Sequence, residues 1–306
     1  MNVWRLHWDA AAGEFLGPSD ARKADFVLYF AQRHLAESPA LFDSLRALCP
    51  EALILGCSTG TTISGAVLDD FSATAVAVRL KHARVALAAT ALDVAHSHES
   101  GRRIGAQLQG DDLAGVLVLS DGLNVNGAAL VAGMQDVLGG DVPIGGGLAG
   151  DGANFEMTVV SANGQPRRGI AAALGFYGPD IRFDMGAAHG WDFFGPTRRI
   201  TKSSGVVLHE LDGAPALRLY EKYLGEEADA LPASALLYPL LITNPQDPND
   251  QVVRTVLGVD RESGAMTFAG DMPQGWSARL MRGDFDNLTQ GAADAATFAA
   301  GGNPGD

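Results

Sequence analysis

Two short runs hold most of the residues that could do chemistry. Gly56-Cys57-Ser58-Thr59-Gly60 follows the apolar run Ala52-Leu53-Ile54-Leu55. It matches G-x-S-x-G, the strand-to-helix turn that exposes a serine nucleophile in α/β-hydrolases. A serine hydrolase using Ser58 would also need an acidic residue and a histidine, and His189 and His209 lie downstream. The residues that follow, Thr61-Thr62-Ile63-Ser64-Gly65, are β-branched and interrupted by glycine, a poor helix start. No His-Gly-Gly oxyanion loop precedes the motif. The hydrolase therefore stands as the alternative, behind a tight turn whose hydroxyls serve backbone or ligand. The second run, Gly145-Gly146-Gly147-Leu148-Ala149-Gly150, matches G-x-G-x-x-G. A dinucleotide site needs a helix directly after it to face the pyrophosphate. Here Asp151-Gly152 and a strand pattern follow instead, so the run reads as backbone rich in N–H groups, open to a small ligand.

The two loops together supply the candidate ligand-binding residues Cys57, Ser58, Thr59, Gly146, Gly147 and Asp151. Hydroxyls and loop N–H groups suit a carboxylate, and Asp151 suits an ammonium, which together describe an amino acid. The seven histidines include no H-x3-H or HExxH pair, so a helical metal site is unsupported. Haem needs only one axial ligand. His189, in His189-Gly190-Trp191, is the first candidate for it and His209 the second, with Cys49 and Cys57 as candidate thiolates. Two cysteines cannot build a disulfide framework or a structural zinc site, which makes a reducing cytoplasm the simplest compartment.

The elements that must position these residues follow from apolar patterning. Asp25–Phe30 and 52–55 read as buried strands around a helix over 37–48, bracketed by Pro39 and Pro50. This strand-helix-strand order favours a partly parallel sheet. Ser72–Leu80 reads as a strand, the alanine-rich 81–109 as helix, and Val116–Leu119 as a strand ending in Ser120-Asp121-Gly122. Asn126 caps a helix over 127–138 that Gly139-Gly140 stops. Beyond residue 152 the pattern turns antiparallel. Strands are expected over 155–161, 169–177, 181–187, 199–202, 206–211, 236–242, 252–259 and 266–269, with Asn163-Gly164 as a hairpin between the first two. Helices are expected over 214–223 and 284–300. A buried strand running into a glycine-rich loop occurs twice, at 56–60 and 145–152, a repeated local plan compatible with internal duplication.

The chain has 306 residues, enough for about two domains. It carries a net charge of −14, which argues against nucleic acid and anionic membrane surfaces as partners. No run of apolar residues is long enough to span a bilayer, and the first residues lack the pattern of a signal peptide.

Five separated segments occur in the order found in the FIST sensory family (F-box and intracellular signal transduction proteins), and the chain resembles that family from about residue 24 to about 298. They are Leu53–Gly60, Asp121-Gly122-Leu123, Val142–Gly152, His189-Gly190-Trp191 with Gly195-Pro196, and Leu211–Leu217 with Tyr220. The resemblance implies an α/β fold leaning to α+β, with mixed sheets, flanking helices and a two-part architecture. The expected parts are an N-terminal arm over 1–23, which reads as an edge strand or an ordered arm, a FIST-N-like sensing domain over 24–213, and a partial, shortened FIST-C-like domain over 214–306. It also implies a small-ligand sensor of bacterial signal transduction without catalytic activity. Such a sensor would act on a separate histidine kinase or cyclic-nucleotide enzyme, and a homodimer is compatible with it. One branch of the family resembles haem proteins that sense nitric oxide. Asp212 reads as a turn residue.

Overall fold

The computed structural model describes residues 1–301. The chain forms two compact units, Met1–Phe183 and the residues from Asp184 onward. That division falls inside the segment expected to form the first domain.

The first unit contains β1 (Asn2–Asp9), β2 (Glu14–Leu16), β3 (Phe26–Gln32), α1 (Arg33–Ala36), α2 (Pro39–Leu48), β4 (Leu53–Thr59), β5 (Thr62–Ser64), β6 (Val67–Asp69), β7 (Ala73–Arg79) and β8 (Arg84–Ala91). It continues with α3 (Ser97–Leu108), β9 (Leu113–Ser120), α4 (Gly127–Leu138), β10 (Ile144–Leu148), β11 (Val160–Ala162) and β12 (Ile170–Tyr177). One sheet has the order β11-β4-β3-β7-β1-β2 and a second the order β10-β9-β12-β8. Alternation along each strand sets the layers. On β3, Val27, Tyr29 and Ala31 pack with Leu41 and Leu45 of α2, whereas Phe26, Leu28 and Phe30 face the second sheet. On β12, Leu174 and Phe176 face the first sheet, and Ala171 and Ala173 meet Ile104 of α3 and Met134 of α4. The result is helix, sheet, sheet, helices.

The unit repeats one topology. Parallel β3 and β4 are joined through α2, β7 returns antiparallel to β3, and β1 lies antiparallel beyond it. Parallel β9 and β10 are joined through α4, β12 returns antiparallel to β9, and β8 lies antiparallel beyond it. The two glycine-rich runs occupy β4 and β10, the corresponding strands of the two halves.

Four local expectations need correction. The alanine-rich 81–109 is not one helix: Arg84–Ala91 is β8, and only Ser97–Leu108 is helical. Alanine favours helix, but here β8 lies between two cores, with Val85, Leu87 and Ala89 on one face and the small Ala86 and Ala88 on the other. The segment 155–161 supplies only the short β11, and 181–187 forms no strand. Asn163-Gly164 does turn the chain, with Asn163 at φ 55° and Val160 bridged to Arg167. Yet β11 pairs with β4, not β12, and lies on the outer edge of the first sheet. Residues 2–9 and 14–16, read as an edge strand or an ordered arm, are β1 and β2 at one end of the first sheet.

The second unit contains β13 (Trp191–Ser204), β14 (Val207–Leu211), β15 (Ala214–Pro215), α5 (Ala216–Leu224), β16 (Leu240–Asn244), β17 (Asp247–Arg254), β18 (Val256–Asp260), β19 (Ala265–Phe268), β20 (Ser277–Gly283) and α6 (Phe285–Ala299). Its antiparallel sheet runs β17-β16-β20-β13-β14-β19-β18, with β15 on β14. The apolar face of α5 (Ala216, Leu217, Tyr220, Leu224) closes a core with Leu240, Ile242, Phe268 and Leu280. The single strand expected over 252–259 is two, β17 and β18. Asp212, at φ 51°, turns β14 into β15 and accepts the Arg199 N–H at 2.8 Å.

Candidate ligand site

The loops that follow β4 and β10 meet. The Gly150 N–H donates to the Ser58 carbonyl at 3.0 Å. A Cβ on Gly60 would lie 3.2 Å from Gly152 Cα, so the two backbones approach as only glycine readily allows. The Ser58 hydroxyl is fully buried and accepts the Val159 N–H at 3.1 Å, while the Ser58 N–H donates to the Val159 carbonyl at 2.9 Å. Thr59 is half-buried beside it and donates to the Thr61 carbonyl at 3.2 Å.

Asp151 organises the second loop. Its buried carboxylate accepts N–H groups from Phe155 at 3.1 Å, Glu156 at 2.9 Å and Met157 at 3.0 Å. Phe155 is thereby held at φ 53°, a left-handed conformation uncommon outside glycine. The Arg33 guanidinium, at the end of β3, reaches Asp151 at 3.4 Å and the exposed Glu156 carboxylate at 3.1 Å. Gln32 beside it donates to the Gly60 carbonyl. The cluster thus presents one half-buried cation, one exposed carboxylate and a rigid backbone.

This changes several expected roles. Asp151 is engaged by three N–H groups and Arg33, so its carboxylate builds the loop and is not free for an ammonium. The Cys57 side chain points the other way, into the core between the sheets with Leu55, Leu119 and Leu174. Burial pushes its thiol up to about 12, and that of Cys49 up to about 11. Both thiols are buried in the core, where the thiolate form is disfavoured. Gly146 and Gly147 lie within β10, along a cleft of about 240 Å³ bordered by Val118, Leu130 and Ile144. A Cβ on Gly146 would collide with the Val118 carbonyl oxygen, which accounts for that glycine by packing. The hydrolase alternative fails on geometry: Ser58 sits inside a strand, sealed and hydrogen-bonded, and the chain goes on into the β5–β6 hairpin and not a helix.

A second cleft, of about 400 Å³, lies in the second unit against β13, β16, β17 and β20. His189, Trp191, Phe193, Leu241 and Met281 line it. The His189 and Trp191 rings lie 5.8 Å apart at 31°. The Trp191 indole N–H is buried and finds no hydrogen-bond partner among the described residues. Asp192 and Gln251 add polar groups to its wall, and the exposed His189 is its one imidazole, the number that single axial ligation of haem requires. His209 does not line this cleft; it lies on β14, between the core-facing Leu208 and Glu210. Among the described residues no group of three or more His, Cys, Asp or Glu side chains could hold a metal ion.

The sequence matches the FIST N domain over residues 25–214 and the FIST C domain over residues 216–303. The chain belongs to the FIST family. FIST domains are associated with sensing small ligands in signal transduction and are ligand-binding rather than catalytic domains. The FIST C match corrects the expectation of a partial C-terminal domain. An uncharacterized protein of Methanocaldococcus jannaschii is 26% identical over 200 residues, 61% of this chain. The aligned part spans 38% of that relative's length. No helix among the described residues is long and apolar enough to cross a membrane.

Sequence reading found the two loops of this FIST chain but missed Arg33, Gln32 and Glu156. Their types give no motif; only the return of β3 beside β4 carries Arg33 to a loop more than a hundred residues away in sequence.

Proposed function

We propose that this FIST chain is a sensor for a small amino acid, bound where the loops after β4 and β10 meet. The observation that carries this reading is the pair of half-buried Arg33 and exposed Glu156 held beside the fixed Ser58–Gly60 and Gly150–Asp151 backbone. An ion pair whose carboxylate is this exposed contributes little to stability, so a zwitterion can come between its partners at small cost. The ligand carboxylate then takes Arg33 and its ammonium takes Glu156, the role Asp151 cannot fill. The signal would pass to a separate histidine kinase or cyclic-nucleotide enzyme in the cytoplasm, a proposal that rests on the family association.

Thermal shift and calorimetry with a panel of free amino acids test this. A ligand at a hundredfold its Kd should add about 2.7 kcal/mol to folding stability. Arg33→Ala should abolish the shift, and N-acetylation of the ligand should weaken it. No shift with any amino acid would sink the reading.

The second reading is haem. The orphaned Trp191 N–H and the placement of His189 in the 400 Å³ cleft favour it. His189 would supply the axial imidazole, and haem would supply a site for nitric oxide. A Soret band that appears with haemin and is lost in His189→Ala supports this reading; a spectrum unchanged from free haemin removes it.

A further inference from the structure

The two halves of the first unit differ at one pair of elements. In each half a loop joins the second parallel strand to the returning strand. The loop after β10 carries β11, which crosses to the other sheet and adds antiparallel to the outer edge of β4, with Val160 opposite Cys57 and Ala162 opposite Leu55. The corresponding loop, after β4, carries the β5–β6 hairpin. Its counterpart target is the outer edge of β10. That pairing is not made: β5 and β6 pair only with each other, and β10 ends its sheet.

Both unpaired elements look like halves of an interface. Ile63, Val67, Leu68 and Phe71, on the hairpin and the turn after it, are 64%, 63%, 71% and 79% exposed. Scattered single apolar residues are ordinary on a surface, but Ile63 and Leu68 stand directly opposite each other across the hairpin, with Val67 and Phe71 close in sequence. The β10 edge is exposed at Gly146, Gly147 and Leu148 and has no charged residue or proline from Ile144 to Leu148. Charges and prolines are what ordinarily stop an edge strand from pairing with another chain.

We propose that these surfaces meet between two copies of this chain. The hairpin of one copy adds to the β10 edge of its partner, and the same contact is made in return about a two-fold axis. The internal precedent is β11 on β4, which shows this loop position delivering a strand to this kind of edge. Because one chain carries both complementary surfaces, a second copy satisfies both at once, and reciprocity closes the assembly as a dimer. The proposal does not depend on the ligand reading.

Sedimentation of the full chain without ligand tests it. The unaltered protein should sediment as a dimer. Leu68→Ser with Phe71→Ser changes only exposed side chains of the hairpin. Gly147→Lys adds a charge to the edge at a position where a Cβ meets open space. Each variant should keep the circular dichroism of the parent and sediment as a monomer. A monomeric parent at every concentration overturns the proposal. So does a dimer that survives either variant, since both surfaces are required.

Discussion

At the scale of single residues, the most consequential side chain of the first unit is Asp121, not a member of either glycine-rich run. It is fully buried at the end of β9. It accepts N–H groups from Gly169 at 2.8 Å and Leu123 at 2.9 Å, and the Thr158 hydroxyl at 2.9 Å. Burial alone would push its carboxyl up, but these donors outweigh burial and hold it below the usual carboxylate range. Asp121→Ala leaves several buried donors unpaired and should cost about 3 kcal/mol of stability, measured by urea unfolding at neutral pH. The sign of the pH dependence follows from the lowered folded value. The contribution is complete above the unfolded carboxylate value of about 3.9 and is lost as pH falls through the folded one. The difference between parent and variant should therefore shrink below about pH 4. A difference that stays constant to lower pH would show that the charge on Asp121 is not what the donors stabilise. The residue itself is legible in the sequence as a strand end, Ser120-Asp121-Gly122; its partners at 158 and 169 are not, because they return from distant turns.

Among elements, the α3–α4 pair shows propensity and packing in conflict. Gly101 and Gly133 lie inside helices, where alanine would be favoured by about 1 kcal/mol. A Cβ on Gly101 would collide with the Leu130 carbonyl, and one on Gly133 with the His98 carbonyl. The two backbones cross at these glycines, so the collision cannot be relieved by turning a side chain. Overpacking of this kind costs about 1–3 kcal/mol, and rigid backbone on both sides puts it at the upper end. Gly101→Ala and Gly133→Ala should each lower stability by about 2 kcal/mol net, read as a fall in the denaturation midpoint. A rise in the midpoint would show that the helices separate freely. The same conflict, resolved the other way, makes β8 a strand in spite of its alanines: its neighbour β12 offers a full ladder from Arg84 to Ala91.

For the whole molecule, the division at Phe183 and the family boundary near residue 215 make different statements about what folds alone. The unit Met1–Phe183 owns three of the four apolar cores. Residues 184–213 hold β13 and β14, whose partners β20 and β19 come much later. A fragment of residues 1–183 should unfold in one cooperative calorimetric transition. A fragment of residues 1–213 should aggregate, because it exposes two unpaired strand edges. Equal behaviour of the two fragments would mean that β13 and β14 do not need the rest of their sheet.

Much was fixed by local order in the sequence. The apolar runs at 26–30, 53–55, 116–119 and 170–177 became buried strands because fully apolar segments of that length have nowhere else to go. Asn126 capped α4 as its type and position require, its side chain accepting the Ala129 N–H at 3.1 Å. The two glycine-rich runs were visible as places where backbone must come close to something. What they come close to was decided only by the fold: each other at Ser58 and Gly150, the Val118 carbonyl of the neighbouring strand at Gly146, and Arg33 through Asp151. Strand pairing, the direction of the Cys57 side chain and the use of the Asp151 carboxylate all depend on segments far apart in the chain. No local pattern encodes them, since a strand's neighbours are chosen by which edges remain open once the sheets have stacked.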